Sequence, residues 1–139
     1  MTEKILKNVE IERILMDLDR PDSIKNTTDS DKKLPIRILW KIETNYKALK
    51  EIGDRIVEKR DVINKDYSSD EKSMEDTDQE GVPVRRVKPE FIEDWRSELN
   101  DLLGVENAVT VDPILLEDIE SLDMVPGDFS SISFMVEEG

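Results

Sequence analysis

The stretch that decides the fold is residues 34–67, which read LPIRILWKIETNYKALKEIGDRIVEKRDVINKDY. Pro35 suits the first turn of a helix, where its missing N–H costs nothing, and no other proline follows before residue 67. Apolar residues recur at a spacing of three or four, interrupted at Gly53 and Arg60, at Leu39, Ile42, Tyr46, Leu49, Ile56, Ile63 and Tyr67. The pattern predicts one helix of about 32 residues, roughly 48 Å long. Such a rod needs a partner helix or another subunit along its apolar face.

A second helix is predicted for residues 90–103, opened by Pro89 and ended by Gly104. Its apolar face consists of Ile92, Trp95, Leu99 and Leu102. The connection between the two helices is long enough to return the chain, so we expect them to pack antiparallel. One seam between them is then expected to bury Leu39, Ile42, Leu49, Trp95 and Leu99.

The remaining chain adds shorter elements. Residues 8–19 predict a helix with Asn8 as its N-cap, followed by a polar loop from Pro21 to Lys33. Residues 108–111 predict a short strand, and Pro126 suits the start of a helix in the tail. The pattern of residues 114–119 leaves open whether they form strand or helix. The predicted fold class is mainly α (α+β), with a small β element near the C-terminus.

The domain organisation is expected to be a single domain over residues 1–139, a length that fits one modest core. Residues 68–81 are rich in acidic side chains and contain one large apolar residue, Met74. This composition predicts an acidic, flexible linker between the two main helices.

The composition excludes several catalytic classes, because the chain contains no His and no Cys. Disulfides, thiolate nucleophiles, imidazole bases and Cys/His zinc sites are therefore ruled out. No glycine-rich phosphate loop occurs, and the five glycines are scattered. We expect a protein that is not an enzyme and has no catalytic residues, no cofactor and no metal site.

Charge is distributed unevenly along the chain, whose net charge is −14. Residues 1–67 have a net charge of +1, and residues 68–139 have a net charge of −15. Direct binding to nucleic acid or to an anionic membrane needs clustered Lys and Arg, so neither is expected. The asymmetry instead predicts a molecule that attracts a basic protein partner, or an acidic surface that only keeps the chain soluble.

Two short motifs resemble binding sites, one for calcium and one for an acidic group. Residues 76–81, DTDQEG, match the first half of a calcium loop, but the twelfth position is Val87 instead of a bidentate glutamate. An acidic linker is the better interpretation. Arg85, Arg86 and Lys88 form a basic cluster that either docks an acidic group or neutralises the neighbouring acids, and we favour neutralisation.

Four segments together resemble an uncharacterised family of small proteins encoded by phages and prophages of Gram-positive bacteria. They are ILKNVEI at residues 5–11, KLPI at 33–36, EGVPV at 80–84 and FMVEE at 134–138. The resemblance implies a phage setting. Because residues 1–7 lack the apolar pattern of a signal peptide, we expect a location in the cytoplasm of the bacterial host. It implies no active site.

Two functions follow from these observations. The first is a phage-encoded protein that binds and modulates or inhibits a host protein of defence or nucleic-acid processing, with its carboxylates acting as a DNA mimic. The carboxylates expected to contact the basic partner are Glu93, Asp94, Glu98, Asp101, Glu117, Asp118 and Glu120. The alternative is a virion or assembly accessory protein that forms a homo-oligomer through the helix over residues 36–67.

Overall fold

The computed structural model describes residues 1–25, 34–120, 122 and 126–138, and helix makes up 58% of it. The chain divides into two compact units, and the expectation of a single domain over residues 1–139 stays a prediction. Unit 1 comprises Met1–Gly53 and Glu106–Gly139, and unit 2 is the continuous segment Asp54–Val105.

The N-terminal segment contains a strand that the sequence pattern did not predict, β1 (Thr2–Lys7). Helix α1 (Asn8–Asp19) follows at once and confirms the predicted helix. Its N-cap is Lys7 instead of Asn8, and the Lys7 backbone N–H donates to Glu10 Oε1 at 3.0 Å. Asn8 is buried. Of the predicted polar loop, residues 26–33 lie outside the described residues.

Helix α2 (Ile36–Tyr67) confirms the long helix. Its buried stripe follows a spacing of three or four until the last turns, at Ile38, Ile42, Asn45, Leu49, Gly53, Ile56 and Tyr67. Gly53, which interrupts the apolar pattern in the sequence, belongs to this stripe. A Cβ atom at residue 53 would lie 2.5 Å from Leu15 Cδ1 of α1, so the missing side chain is what lets Leu15 pack there.

Unit 2 contains a β-hairpin where the sequence predicted a linker. Strand β2 (Ser73–Thr77) pairs antiparallel with β3 (Pro83–Val87). Acidic side chains on β2 are not typical of a strand, but Asp76 Oδ2 of β2 lies 2.9 Å from Arg86 Nε of β3. Opposite charges across a strand pair stabilise it, so this ion pair favours the pairing once the partner strand is present.

After the hairpin comes a 3₁₀ turn, Pro89–Phe91, and then helix α3 (Ile92–Leu103), capped by Gly104 as predicted. The apolar side chains of α3 are half-buried, and none is fully buried. The residues expected at one seam divide between the units: Leu39, Ile42 and Leu49 belong to unit 1, and Trp95 and Leu99 to unit 2. A single seam is therefore not a feature of either unit, and antiparallel packing of α3 on α2 stays a prediction.

The chain returns to unit 1 through strand β4 (Glu106–Val111), which pairs antiparallel with β1 along its whole length. This strand confirms and extends the one predicted at residues 108–111. The elements that follow are β5 (Ile114–Leu115), α4 (Leu116–Ile119), α5 (Pro126–Ile132), a 3₁₀ turn at Ser133–Met135 and β6 (Val136–Glu137). The tail helix thus starts at Pro126 as predicted, and β5 pairs parallel with β6.

Asn45 joins α2 to the corner between β4 and β5. Its side chain is only 2% exposed. The Nδ2 group donates to the Asp112 carbonyl oxygen at 2.9 Å, and Oδ1 accepts from the Asp112 backbone N–H at 2.8 Å. One carboxamide therefore satisfies both backbone groups of Asp112, as a neighbouring strand would.

Replacing Asn45 is expected to destabilise the protein more than replacing an exposed asparagine. Asn45→Ala removes both hydrogen bonds and leaves the half-buried Asp112 backbone unsatisfied, at a cost of about 1–3 kcal/mol in the free energy of unfolding. Asn100→Ala, an exposed change on α3, is expected to cost within about 0.5 kcal/mol. Urea denaturation followed by circular dichroism measures both. Equal losses for the two variants would contradict the anchoring role.

Candidate functional site

Four of the seven sequence-predicted carboxylates share one face of α3. Glu93, Asp94, Glu98 and Asp101 are all exposed. At about 100° of rotation per residue, they fall within an arc of roughly 140°. The half-buried apolar side chains of α3 occupy the opposite side of the helix. We call these four residues the acidic stripe.

The acidic stripe carries uncompensated charge. Within the described part of the chain, none of its four members forms a salt bridge. Asp94 and Glu98 are one turn apart, as are Glu98 and Asp101, so like charges repel along the helix. Glu98 and Asp101 also lie in the half of α3 where the helix dipole is unfavourable to carboxylates. Glu93 and Asp94, by contrast, lie in the first turn of α3, where the dipole favours carboxylates. The charges of the stripe remain available to a cation.

Glu98 also contacts the end of α2. The Glu98 carboxylate favours the protonated form of the buried Tyr67 hydroxyl and, together with burial, raises the pKa of Tyr67 above its ordinary value of 10.0. The Lys72 ammonium lies 4.6 Å from the centre of the Tyr67 ring and donates to Asp66 Oδ2 at 2.8 Å. The bond to Asp66 raises the pKa of Lys72.

The other three predicted carboxylates lie in unit 1, on or beside α4. Glu117 and Glu120 are exposed. Asp118 is half-buried and accepts a hydrogen bond from Arg37 Nη2 at 3.1 Å. Its charge is therefore partly neutralised by α2. The seven residues belong to two compact units, and the four in unit 2 share one face of α3.

The hairpin arginines neutralise neighbouring acids, as favoured from the sequence. Arg85 pairs with Asp70, and its Nε also donates to Ser73 Oγ at 2.6 Å and to the Ser68 carbonyl oxygen at 3.1 Å. Arg86 Nε lies 2.9 Å from Asp76 Oδ2. These bonds hold the turn between α2 and β2 against β3.

The calcium-like string forms the hairpin turn. Asp78 Oδ1 accepts from the backbone N–H groups of Glu80 and Val82, each at 2.9 Å. Gly81 has a φ of 81°, in the left-handed region that glycine adopts without strain. Asp78 thus caps a turn with its carboxylate. Over the described residues, no group of three or more acidic side chains is placed to hold a metal ion.

A basic cleft of about 480 Å³ opens in unit 2 between the end of α2, the hairpin and α3. Its lining includes the side chains of Arg85, Arg86 and Arg96 and contains no Asp or Glu. Trp95 also lines the cleft, and its indole Nε1 donates to Asn64 Oδ1 at 3.0 Å. The guanidinium of Arg96 has no hydrogen-bond or ion-pair partner within the described ranges.

The sequence did not single out this cleft. The sequence pattern predicts Trp95 at a helix seam and gives no role to Asn64 or Arg96. A signal is present, because Arg96 follows Trp95 directly on α3, and Arg85 and Arg86 are adjacent in the sequence. The hairpin brings these residues together, and it lies partly in the segment whose composition predicts a linker.

No protein-family model, curated protein or solved structure matches the chain. In the part that the structure describes, no helix is both long enough and apolar enough to cross a bilayer. The candidate function therefore rests on the chemistry of the acidic stripe and of the basic cleft.

The effect of Glu98 on the pKa of Tyr67 predicts a pH dependence. In a Tyr46→Phe background, where Tyr67 is the only tyrosine, Glu98→Gln is expected to lower the pKa of Tyr67 toward 10, because the amide no longer favours the protonated phenol. The ultraviolet absorbance of the phenolate measures this shift. The pKa of Tyr67 is raised in the folded state, so its protonated hydroxyl adds to the stability of the fold below pH 10. This contribution is lost as the pH rises through the raised pKa of Tyr67. Glu93→Gln is the control, and an equal shift in it would contradict the assignment.

Proposed function

We propose that this chain is a non-enzymatic, phage-encoded protein that binds a host protein with a basic surface, and that the acidic stripe of α3 is its contact. The observation that carries the proposal is the stripe itself, whose charges are exposed and unpaired by any cation of the described chain. The absence of His and Cys from the whole sequence supports a binding function over a catalytic one.

The spacing of the acidic stripe supports a partner that normally binds nucleic acid. Glu93 and Asp101 are eight residues apart, which is roughly 12 Å along a helix axis. The axial rise from one carboxylate to the next is therefore about 4 Å on average. This value is close to the axial rise of about 3.4 Å per phosphate in one DNA strand. A groove lined with Lys and Arg that fits phosphates can then receive the stripe. The target would be a protein of defence or nucleic-acid processing in the host cytoplasm.

The proposal predicts that neutralising the stripe abolishes binding while the fold survives. The test variant combines Glu93→Gln, Asp94→Asn and Asp101→Asn, and keeps Glu98 because it contacts Tyr67. The matched control combines Glu43→Gln, Glu51→Gln and Glu58→Gln, three exposed carboxylates of α2, and has the same net charge. Each immobilised protein is exposed to bacterial lysate, and a captured basic protein is then purified. We expect the control to retain this partner and the stripe variant to lose it.

Kinetics with the purified partner separate charge recognition from apolar packing. Carboxylates facing a basic groove attract it over about one Debye length, near 8 Å at physiological salt. The on-rate is therefore expected to fall about tenfold or more between roughly 50 and 500 mM salt, and duplex DNA is expected to compete. An on-rate that is independent of salt, or a stripe variant that binds normally, would contradict the proposal.

A second candidate function, an assembly accessory protein, has its own observation on α2. Ile36 and Trp40 lie one turn apart and are 80% and 72% exposed. Large apolar side chains of this exposure are typical anchors of protein interfaces. Residues 36–67 carry eight bases and six acids, a net charge of +2. The helix itself therefore lacks the strong negative charge that would repel a second copy of the chain.

Self-association through α2 is tested with one substitution. If the chain forms an oligomer there, Trp40→Gln is expected to shift it to the monomer in sedimentation velocity, because the anchor side chain is lost. Glu51→Gln, an exposed change further along the helix, is the control and should leave the oligomer intact. A wild-type chain that sediments as a monomer at about 100 μM would exclude an oligomer with a dissociation constant in the micromolar range.

A further inference from the structure

The basic cleft of unit 2 contrasts with the acidity of the chain around it. Residues 68–139 carry 20 acidic and five basic side chains. Three of those five, Arg85, Arg86 and Arg96, line the same cleft, and no acidic residue lines it. Repulsion elsewhere on this part of the chain disfavours an anion, whereas the cleft presents a local concentration of guanidinium groups.

We propose that the cleft is a binding site for a small anion that carries an aromatic or aliphatic group beside a phosphate or carboxylate. Its volume of about 480 Å³ lies within the range of small-molecule sites, roughly 300–1,000 Å³. The proposal does not depend on the acidic stripe, because none of the four stripe residues lines the cleft.

Arg96 is the anchor for the anionic group. Arg85 and Arg86 are already paired with Asp70 and Asp76, whereas Arg96 has no partner within the described residues. A guanidinium binds phosphate or carboxylate through two parallel hydrogen bonds, which fixes the direction of the bound group. Arg96 can therefore bind an oxyanion without breaking an existing ion pair.

The apolar part of the ligand has its own contact surface. Val87, Ile92 and Trp95 line the cleft together with the arginines. The hydrogen bond from Trp95 to Asn64 holds the indole ring in place, and the bonds of Arg85 to Ser73 and Ser68 fix the hairpin side. A site that is already ordered loses less entropy when a ligand binds, so even a small anion is expected to bind measurably.

Trp95 provides the readout. The chain has two tryptophans, so Trp40→Phe leaves Trp95 as the only one, and its fluorescence reports on the cleft. The probes are phenyl phosphate, phenylacetate, inorganic phosphate and the neutral benzyl alcohol, with calorimetry as a second measurement. We expect saturable binding of phenyl phosphate or phenylacetate in the millimolar range, and at least about tenfold weaker binding of the other two probes. The tighter of the two aromatic anions identifies the oxyanion that the site takes.

Two substitutions decide whether Arg96 is the anchor. Arg96→Gln is expected to weaken binding of the aromatic anion about tenfold or more. Arg96→Lys is expected to restore part of the binding, because it returns the positive charge but not the planar guanidinium group. Arg55→Gln removes the same charge from an exposed position of unit 2 that does not line the cleft, and should bind like the parent. Equal binding of benzyl alcohol, no saturation by about 10 mM, or equal losses in the Arg96→Gln and Arg55→Gln variants would each overturn the proposal.

Discussion

Unit 1 depends on the buried carboxamide of Asn45. Burying a backbone N–H or C=O without a partner is costly, and the chain between β4 and β5 presents both at Asp112. Asn45 satisfies the two together from the buried stripe of α2. Because β4 pairs with β1 and β5 pairs with β6, this contact connects the long helix to both ends of the chain. A leucine or isoleucine at residue 45 would suit the helical pattern better and would leave that corner unsatisfied.

The same residue shows what the sequence can and cannot predict. Periodicity predicted α1, α2 and α3 because their signals are local, and it placed the start of the tail helix at Pro126. Asn45 was not predicted as buried, because its partner is 67 positions away. Strand β1 was missed for the same reason, since Thr2 pairs with Val111 and the strand has no alternation strong enough to reveal it. Contacts between distant segments determine both features.

The hairpin of unit 2 shows a further limit. The composition of residues 68–81 indicates a solvated segment, and the acidic side chains are indeed exposed. A strand nevertheless forms, because the partner strand supplies Arg85 and Arg86 to pair with those acids. The four carboxylates of the acidic stripe were predictable, since helical spacing alone places them on one face. The basic cleft was not, because it exists only once the hairpin brings Arg85 and Arg86 to Trp95 and Arg96.

The two surfaces of α3 act over different distances. The acidic stripe is exposed, so its field extends about one Debye length into the solvent and would attract the basic partner proposed above before contact. The same field repels anions approaching the molecule. An anion that reaches the cleft must therefore be held by short-range contacts, namely the fork of Arg96 and the fixed ring of Trp95. Strong salt dependence is accordingly expected of the proposed contact at the stripe, whereas the cleft is expected to select a ligand by geometry and by apolar contact.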